Sequence, residues 1–477
     1  MPYSDLREFL NRLEEIGQLR KVEGADWNLE IGALSHLVSE KRGPALLFDR
    51  IKGCPAGFRV ATNIFHTVGR VALALDMPPD SHGLDIINMW RKRHKEVELI
   101  PPVEVQAGPV LENVLTGNDV DLFRFPVPKW LEGDGGRFIG TGSCVVMRDP
   151  DEGWVNAGTY RVQIHDKDKA TVMISAGHHG GLIREKYWAK GMNCPVAICC
   201  GQEPVLWIAS THALPWGVSE YDYAGWIRGK PAEVVKGPTT GLPIPATAEI
   251  VIEGEIVPRD VESLAEGPFG EWPGYYASGI RPEPVIRVTA ILHRNDPIIQ
   301  GAPRLRPPNL NFPVPLMQAP AIWDSLEREG IPDIRGVWQL EAGGASFITV
   351  ISLKQRYAGH AKRAALAVAG SYGGGEMRRL IIVVDEDVDP TDVNDVLWAV
   401  ATRCDPESDI DIVRGCLSSP IDPRILPEKR AREDYTTSRA IILACKPFAW
   451  MGQFPKTCSV SSEMKAVVNA KWPGIVD

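Results

Sequence analysis

The middle of this 477-residue chain, residues 105–315, constrains the fold more than any other part of the sequence. Short runs of β-forming residues recur there between loops that are heavy in glycine and proline, and helical periodicity is the minority pattern. The runs include TGSCVVMRD, VNAGTYRVQI, TVMIS, CPVAICC and AEIVIEGEIV. Because parallel winding needs a helix after each strand, this pattern predicts a barrel or a barrel-like sheet instead.

Both flanks of this β-rich middle alternate helical and strand patterns. The first flank begins with the amphipathic segment SDLREFLNRLEEIGQL and ends near the proline pair at 101–102. In the second flank the patterns HAKRAALAVAGS, RRLIIVVDEDVDP and TDVNDVLWAVATR follow one another. The sequence therefore predicts an α/β domain over residues 1–104, a β-rich domain over 105–315 and an α/β domain over 316–477.

The composition limits the partners and the compartment. A formal net charge of −9 gives no global attraction for nucleic acid or for an anionic membrane. No run of about 18 apolar residues occurs, and the N-terminus lacks a basic region followed by an apolar one. The nine cysteines lie mostly in apolar runs and show no zinc-type spacing. We expect an unexported, cytoplasmic protein that binds neither nucleic acid nor membranes and has no disulfide framework.

Three polar residues of the middle segment form a candidate metal-binding set. Asn156 lies in WVNAGTYRVQIHD, His179 in ISAGHHGGL and Glu220 in PWGVSEYDYAGW. An amide oxygen, an imidazole and a carboxylate suit Mg²⁺ or Mn²⁺ better than zinc or copper, and they leave positions for water or a phosphate oxygen. The spacing alone is more typical of three ordinary loop or strand-end residues, each with its own hydrogen bond.

Arg161 lies five residues after Asn156. In a regular strand these two side chains would face opposite sides, because side chains alternate. Gly158, between them, indicates a bulge or a close backbone approach, which could turn both toward one ligand. An arginine on a half-buried strand needs a partner, which is either an internal carboxylate or a bound anion. The sequence leaves both partners open.

Two glutamates lie in the segment LAEGPFGEWPGYY. Glycine and proline between Glu266 and Glu271 exclude a helix, so the carboxylates lie on a turn of fixed shape. The neighbouring aromatic residues, Phe269, Trp272 and Tyr275, would desolvate the carboxyl groups and raise their pKa, whereas Arg161 would lower the pKa of its partner. One glutamate could then act as an acid while the other remains an anion. The alternative is a polar loop with solvated carboxylates.

Two other motifs are explained by structure alone. GTGSCV, residues 140–145, lacks the third glycine of the dinucleotide fingerprint and precedes no helical pattern, which argues against a Rossmann cofactor site. VVDEDVDP ends a strand and leads into an aspartate-capped helix. Lys354, at the end of another strand, either belongs to a solvated charged face or reaches an anion.

The motifs NAGTYRVQIHD, GHHGG, SEYDYAG and EGPFGE together resemble the UbiD family of decarboxylases, which use prenylated flavin mononucleotide (prenylated FMN), and the resemblance runs over nearly the whole chain. It implies that Asn156, His179 and Glu220 bind a divalent metal, Mn²⁺ or Mg²⁺, which together with K⁺ holds the flavin phosphate. His178 stands where the family commonly has lysine or glutamine, which puts in doubt the cofactor contact made at this position.

The same resemblance implies the catalytic residues and the fold. Arg161, Glu266 and Glu271 would form the catalytic network over the flavin. Thr141 would lie near the ring system and Lys354 would reach the phosphate. The implied fold is an N-terminal α/β segment, a central split β-barrel that binds the flavin, and a C-terminal α/β domain, ending in a helix, through which the family forms homodimers or homohexamers.

The implied function is the reversible, non-oxidative decarboxylation of an aromatic, heteroaromatic or α,β-unsaturated carboxylic acid, with CO₂ as a product. The substrate would form a covalent adduct with a cofactor made by a flavin prenyltransferase. Arg161 would hold the substrate carboxylate, Glu271 would donate the proton and Glu266 would hold Arg161, although the two glutamates could exchange roles.

The substrate is the least constrained expectation. The wall that selects it is expected in residues 293–317, at His360 and in the loop around Leu417. Polar side chains in QGAPRLRPPNLNF favour an aromatic or heteroaromatic acid with a polar ring substituent or ring N–H; they are Arg304, Arg306, Asn309 and Asn311. Two other functions stay open, a metal-dependent hydrolase and a non-catalytic assembly subunit of the same fold.

Overall fold

The computed structural model describes residues 3–175, 177–307, 314–371 and 377–473. Within these ranges the α-helices α1 to α12 are, in chain order, Leu6–Glu15, Glu30–Glu40, Val68–Ala74, Gly83–Arg93, His179–Ala189, Pro204–Ser210, Glu220–Arg228, Val314–Arg328, His360–Gly370, Val393–Arg403, Pro427–Arg430 and Ser462–Lys471. The strands β1 to β22 are Leu19–Glu23, Ala45–Asp49, Arg59–Thr62, Val103–Glu104, Asn113–Thr116, Arg137–Gly140, Cys144–Arg148, Val155–Gly158, Arg161–Ile164, Lys169–Met173, Cys194–Cys200, Glu233–Lys236, Pro243–Pro245, Ile250–Ile256, Ser263–Glu266, Arg281–His293, Ile298–Gln300, Ile334–Gln339, Ile348–Leu353, Leu380–Asp385, Ile410–Leu417 and Thr436–Ala444.

A ten-stranded, curled sheet forms the centre of the molecule. Its main order is β6-β9-β10-β16-β14-β11-β7-β8, and β5 and β15 also pair with β16. The pairings within it are antiparallel. This confirms the predicted barrel-like sheet in the middle of the chain.

Both faces of the central sheet are covered. On β7, Cys144 and Val146 belong to one hydrophobic core, whereas Val145 and Met147 belong to another. On β11, Ala197 and Ile198 divide between the two cores in the same way. A strand buried on both faces needs apolar residues at every position, which explains the uninterrupted run CPVAICC.

The predicted bulge at Gly158 is wrong. β8 pairs with β7 in regular register through Gly158, and the chain then leaves this strand at Thr159 and Tyr160. It enters a separate strand, β9, which pairs with β6 and β10. A side chain at Gly158 would collide with the Tyr160 ring, since a Cβ atom there would lie 2.7 Å from it. Asn156 and Arg161 therefore lie on two different strands.

Three smaller sheets accompany the central one in the described part of the chain, and the smallest of them has the strand order β13-β12-β4. The sheet β1-β2-β3-β17 combines strands of the first flank with β17 from the middle segment, which pairs with β3. The sheet β18-β19-β20-β22-β21 mixes parallel and antiparallel pairs. Arg91 of α4 forms ion pairs with Asp324 and Glu327 of α8, both at 2.7 Å, and so joins the first flank to the last. The domain boundaries at 104/105 and 315/316 stay predictions.

The cysteines and the helices bear on the expectations that were drawn from composition. All nine cysteines are free thiols. Among the helices in the described part of the chain, none is long and apolar enough to cross a membrane.

Candidate active site

A cavity of about 350 Å³ lies between the central sheet and the last α/β sheet. The middle segment contributes, among others, Thr141, Tyr160, Arg161, His178, Glu271, Trp272 and Arg304. The C-terminal part contributes Gln318, Ser346, Met377, Ser419 and Ile421. The cavity therefore combines the predicted catalytic residues with a wall that only the folded chain brings to them.

Arg161, Glu266 and Glu271 form one hydrogen-bonded cluster, the triad. Arg161 Nε and Nη2 donate to the two carboxylate oxygens of Glu266 at 2.7 and 2.8 Å. Arg161 Nη1 donates to Glu271 Oε1 at 2.6 Å. The three residues are 9%, 0% and 5% exposed, respectively. These exposures exclude the solvated loop that the sequence had left open.

The charges of the triad support one another. Burial acts to lower the pKa of Arg161, but the hydrogen bonds and charges of Glu266 and Glu271 outweigh it and hold the pKa above its usual value. Arg161 is therefore a permanent cation, and its partner is an internal carboxylate pair. It also lines the cavity, so a substrate carboxylate could approach the same guanidinium.

Hydrogen bonds around the triad fix the turn formed by residues 266–271. The backbone N–H of Gly267 donates to Gln163 Oε1 at 2.9 Å. Ser278 Oγ donates to Glu271 Oε1 at 2.6 Å. Phe269 is buried and packs on Phe138, with ring centroids 4.4 Å apart. The turn is thus rigid, although Tyr275 does not desolvate it as expected, because its side chain is 60% exposed.

Asn156 and Glu220 form a second polar cluster, the amide–carboxylate pair. Asn156 Nδ2 donates to Glu220 Oε1 at 2.8 Å, and the backbone N–H of Ala157 donates to Glu220 Oε2 at 2.7 Å. Glu220 begins α7 behind the N-cap Ser219, where the helix dipole favours a carboxylate. Burial raises the pKa of Glu220 to about 7, against the opposing effect of these N–H donors.

His179 lies near this pair but does not contact it directly. It is the first residue of α5, and its ring packs edge-on against Trp154 and Trp216. The next residue, Gly180, donates its N–H to Tyr160 Oη, which in turn donates to Asn156 Oδ1 at 3.4 Å. Burial, and then His178, lower the pKa of His179, which favours the neutral imidazole that metals bind.

These residues fit a hard divalent cation without forming a closed site. In the described residues, no group of three His, Cys, Asp or Glu side chains is placed to hold a metal ion. However, Glu220 is a buried carboxylate whose hydrogen bonds come from an amide side chain and a backbone N–H. A cation would compensate this buried charge, and the mixed oxygen and nitrogen donors suit Mg²⁺ or Mn²⁺.

Of the remaining predicted cofactor residues, two line the cavity and one does not. Thr141 lines the cavity, and its Oγ1 accepts a hydrogen bond from the Ala302 N–H at 3.0 Å. His178 also lines the cavity, at the N-cap position of α5. Lys354 follows the end of β19, and its half-exposed ammonium group lies 3.5 Å from Glu386. It is not among the residues that line the cavity.

The predicted substrate wall is only partly correct. His293 is buried between Phe58 and Phe125, and His360 is buried against Tyr357. Neither histidine lines the cavity. His293 Nδ1 lies 2.8 Å from the Arg294 carbonyl oxygen, and His360 Nδ1 accepts a hydrogen bond from the Arg356 N–H at 3.2 Å. The exposed Leu417 also does not line the cavity, but Ser419 and Ile421, which follow it in the same loop, do.

The polar residues of QGAPRLRPPNLNF also differ in whether they line the cavity. Arg304 lines the cavity with its guanidinium 4.0 Å above the Trp272 ring, and burial lowers the pKa of Arg304 to about 10. Arg306 instead lines a second cavity, of about 610 Å³. Asn309 and Asn311 lie outside the described residues.

Sequence reasoning missed the carboxylate behind the 266–271 turn, Asp134, and the C-terminal polar residues of the cavity. Asp134 lies in LEGDGG, which has the composition of a solvated loop. Gln318 and Ser346 lie in a helix and in a loop that carry no motif. No local signal marks these residues, because their roles depend on tertiary contacts.

Comparison with known proteins identifies the class. The chain matches the family models for 3-octaprenyl-4-hydroxybenzoate carboxy-lyase: the N-terminal domain over residues 10–90, the Rift-related domain over 102–307 and the C-terminal domain over 314–444. The protein belongs to the UbiD family and is a carboxy-lyase with the UbiD-class fold.

Similar proteins show the substrates and cofactors found in this class. Pyrrole-2-carboxylic acid decarboxylase of Pseudomonas aeruginosa is 35% identical, with 94% of this chain and 92% of that protein covered. The open form of vanillic acid decarboxylase from Sedimentibacter hydroxybenzoicus matches at a TM-score of 0.85 and 30% identity, with 99% of both chains covered. HmfF of Pelotomaculum thermopropionicum in complex with FMN matches at a TM-score of 0.86 and 28% identity, with 98% of this chain and 100% of that chain covered. An evolved dimeric form of HmfF with prFMN matches at a TM-score of 0.81 and 28% identity, with 96% of this chain and 97% of that chain covered. These structures support a flavin cofactor.

Proposed function

We propose that this protein is a prenylated-FMN-dependent decarboxylase of an aromatic or heteroaromatic carboxylic acid. The observation that carries the proposal is the buried triad at the edge of a cavity of about 350 Å³. Arg161, beside a space of ligand size, can position a substrate carboxylate, and a carboxyl group of the triad can supply a proton. The overall reaction converts a carboxylate and one proton into CO₂ and a C–H bond.

The proposed cofactor would be held by the metal-binding set and by residues of the cavity wall. When bound, prenylated FMN supplies, through a covalent adduct with the substrate, an electron sink for the electron pair released with CO₂. Asn156, His179 and Glu220 would hold Mn²⁺ or Mg²⁺ and, with K⁺, the flavin phosphate. Thr141 and His178 would face the flavin from the cavity wall. Lys354 is omitted from this set because its ammonium group pairs with Glu386.

The two glutamates have different surroundings, which favours different roles. Glu266 uses both oxygens to bind Arg161, and it is fully buried and absent from the cavity wall. Glu271 lines the cavity and receives hydrogen bonds from Arg161 and Ser278 at the same oxygen, Oε1. Its other oxygen is therefore the better placed to carry a proton. We infer that Glu271 donates the proton to the carbon that loses CO₂ and that Glu266 holds Arg161 in place.

Arg304 supports a substrate with a polar ring substituent or a ring N–H. It places a second guanidinium at the cavity, stacked on Trp272. A guanidinium at the cavity wall favours a ligand with an acceptor group, because an arginine side chain donates hydrogen bonds but accepts none. A hydroxylated ring would supply an acceptor directly, whereas a ring N–H would need a bridging water.

The proposed partners follow from the cofactor and the surface. A flavin prenyltransferase would supply the prenylated FMN. A homodimer or homohexamer is proposed through the C-terminal α/β domain, where α12 has no buried residue and exposes Met464 and Val467. Such exposed apolar side chains are common at subunit interfaces.

Co-production with a flavin prenyltransferase tests the proposal. The purified protein should show flavin absorbance in the near-ultraviolet and visible range and release CO₂ from pyrrole-2-carboxylate or from a hydroxylated benzoate. Arg304→Met should slow the hydroxybenzoate more than cinnamate, which has no ring substituent. A colourless protein without decarboxylation would contradict the proposal, and release of a hydrolysis product from an ester or amide would favour a metal-dependent hydrolase.

A further inference from the structure

Asp134 lies behind the loop that carries Glu271. Its carboxyl group is 4% exposed and lies in the supporting loop, residues 131–136. Tyr276 Oη, after Glu271, donates to Asp134 Oδ1 at 3.2 Å. The backbone N–H of Gly135, next to Asp134, donates to the Pro268 carbonyl, before Glu271, at 2.8 Å. The residues before and after the segment 271–275 are thus tied to one supporting loop.

The segment between these ties is a tight turn. The backbone N–H of Glu271 donates to the Tyr275 carbonyl at 3.0 Å, and the Gly274 N–H donates to the Glu271 carbonyl at 2.8 Å. Any movement of Gly270 relative to Tyr276 would therefore change the direction of the Glu271 side chain. That side chain is held to Arg161 at 2.6 Å.

The supporting loop packs so closely on the turn that two of its residues must be glycine. A Cβ atom on Gly135 would lie 1.8 Å from the Gly267 carbonyl oxygen. A Cβ atom on Gly133 would lie 2.6 Å from the Tyr276 ring. The Gly135 N–H also donates to the Pro268 carbonyl at 2.8 Å. This contact brings Asp134 within reach of Tyr276, which explains the unusual sequence LEGDGG.

The chemistry of Asp134 suits an ionised carboxylate. Its donors are the Tyr276 hydroxyl, 3.2 Å from Oδ1, and the Leu131 N–H, 2.9 Å from Oδ2. A carboxylate only accepts hydrogen bonds, so it satisfies both donors, whereas an asparagine would turn an NH₂ group toward one of them. Burial raises the pKa of Asp134 to about 6, which still leaves it mostly ionised at neutral pH.

We propose that Asp134 is a positioning residue for the proton-transfer step: it fixes the loop 270–276 so that the Glu271 carboxyl group faces the cavity beside Arg161. The consequence for catalysis rests on the proposed function. The mechanical part, that Asp134 holds this loop, does not.

Two readouts of Asp134→Asn test the proposal. Amide hydrogen exchange in the metal-free, flavin-free protein should become faster in peptides spanning 266–276, with no change in peptides spanning β20 and β22. In the flavin-loaded protein, kcat should fall by about 10²-fold, as expected for misplacement of a catalytic group by roughly 1 Å, with little change in KM. The matched control is Glu132→Gln, which removes an exposed charge from the same loop and should behave as wild type.

Tyr276→Phe is the second variant. It removes only the 3.2 Å hydrogen bond from the Tyr276 hydroxyl to Asp134. Amide exchange in peptides spanning 266–276 should become faster and kcat should fall, both by a smaller factor than in Asp134→Asn. Unchanged exchange and kcat in Asp134→Asn would overturn the proposal. If that variant fails to fold, unchanged values in Tyr276→Phe would overturn it. A wild-type protein without decarboxylase activity would contradict the proposed function, but the exchange experiment would still decide whether Asp134 holds the loop.

Discussion

The triad and the amide–carboxylate pair are both buried, and Tyr160 of the cavity wall joins the pair to the cavity, but the carboxylates of the two clusters have different partners. In the triad, the guanidinium of Arg161 lies between Glu266 and Glu271, so each carboxylate has a cationic partner inside the protein. In the pair, Glu220 is held by the N–H groups of Asn156 and Ala157, which carry no net charge. The first cluster is assembled by the chain itself, and the second leaves a buried negative charge for a cation to compensate.

Because of this difference, we expect the triad to be preorganised and the amide–carboxylate pair to be completed by a metal. A preformed triad keeps its geometry without a ligand, as a proton donor requires. A carboxylate with a raised pKa and a nearby neutral imidazole gain more from a metal, because a cation would stabilise the ionised carboxylate. We therefore expect variants of the triad to affect stability and the chemical step, and variants of the pair to affect cofactor loading.

The largest expected effect is that of Arg161→Ala on stability. It leaves two carboxylates buried without their cation, and breaking a buried pair in this way typically costs about 3–5 kcal/mol. The matched control is Arg287→Ala, because Arg287 pairs with Glu262 on the same sheet but is half exposed. That change should cost less than about 1 kcal/mol. Urea unfolding of both variants measures the difference, and equal losses would show that the triad is not preformed.

A smaller effect, on cofactor loading, is expected for Glu220→Gln. The variant keeps the shape of the side chain but loses the charge that would bind the metal, so metal and flavin occupancy should fall together by at least about tenfold. Asp222→Asn, on the same helix, is the control and should load normally. Metal analysis and the visible spectrum after dialysis against a chelator report both quantities. Full flavin occupancy in metal-free Glu220→Gln would exclude the proposed metal–phosphate site.

The smallest expected effect is the pH dependence of protein stability that is caused by Asp134. Since burial raises the pKa of Asp134 to about 6, the folded protein binds this proton more tightly than the unfolded chain. The stability that this proton contributes is present at acidic pH and is lost as the pH rises through about 6. Wild type should therefore lose roughly 1 kcal/mol relative to Asp134→Asn between pH 5 and pH 7. Parallel unfolding curves across this range measure the change, and a constant difference would contradict the assigned pKa.

Local sequence was enough to predict part of the fold. Glycine and proline in EGPFGE excluded a helix, and residues 267–271 form a non-helical loop after β15. The β-rich runs of the middle segment likewise predicted the central sheet, because strand patterns are local. The closeness of Arg161, Glu266 and Glu271 was implied by the family resemblance of the motifs, and the three residues are in contact.

The rest depends on contacts between distant segments. Arg161 meets Glu266, 105 residues away, only because β9 pairs with β10, β10 with β16, and β16 with β15. No local pattern specifies these registers. The predicted bulge failed for the same reason, since Gly158 permits a change of strand partner that its own sequence does not reveal. Asp134 was missed because a buried carboxylate and a solvated loop have the same composition.

Exchange of solvent deuterium into the substrate-derived C–H bond tests the central claim most directly, because this exchange requires the proton donor but no release of CO₂. Glu271→Gln should retain flavin and metal, because neither ligand needs that carboxyl group. If Glu271 donates the proton, decarboxylation and exchange should fall together by about 10²- to 10⁴-fold in Glu271→Gln. Wild-type exchange in this variant, with decarboxylation abolished, would contradict the account and move the proton to Glu266 or to water.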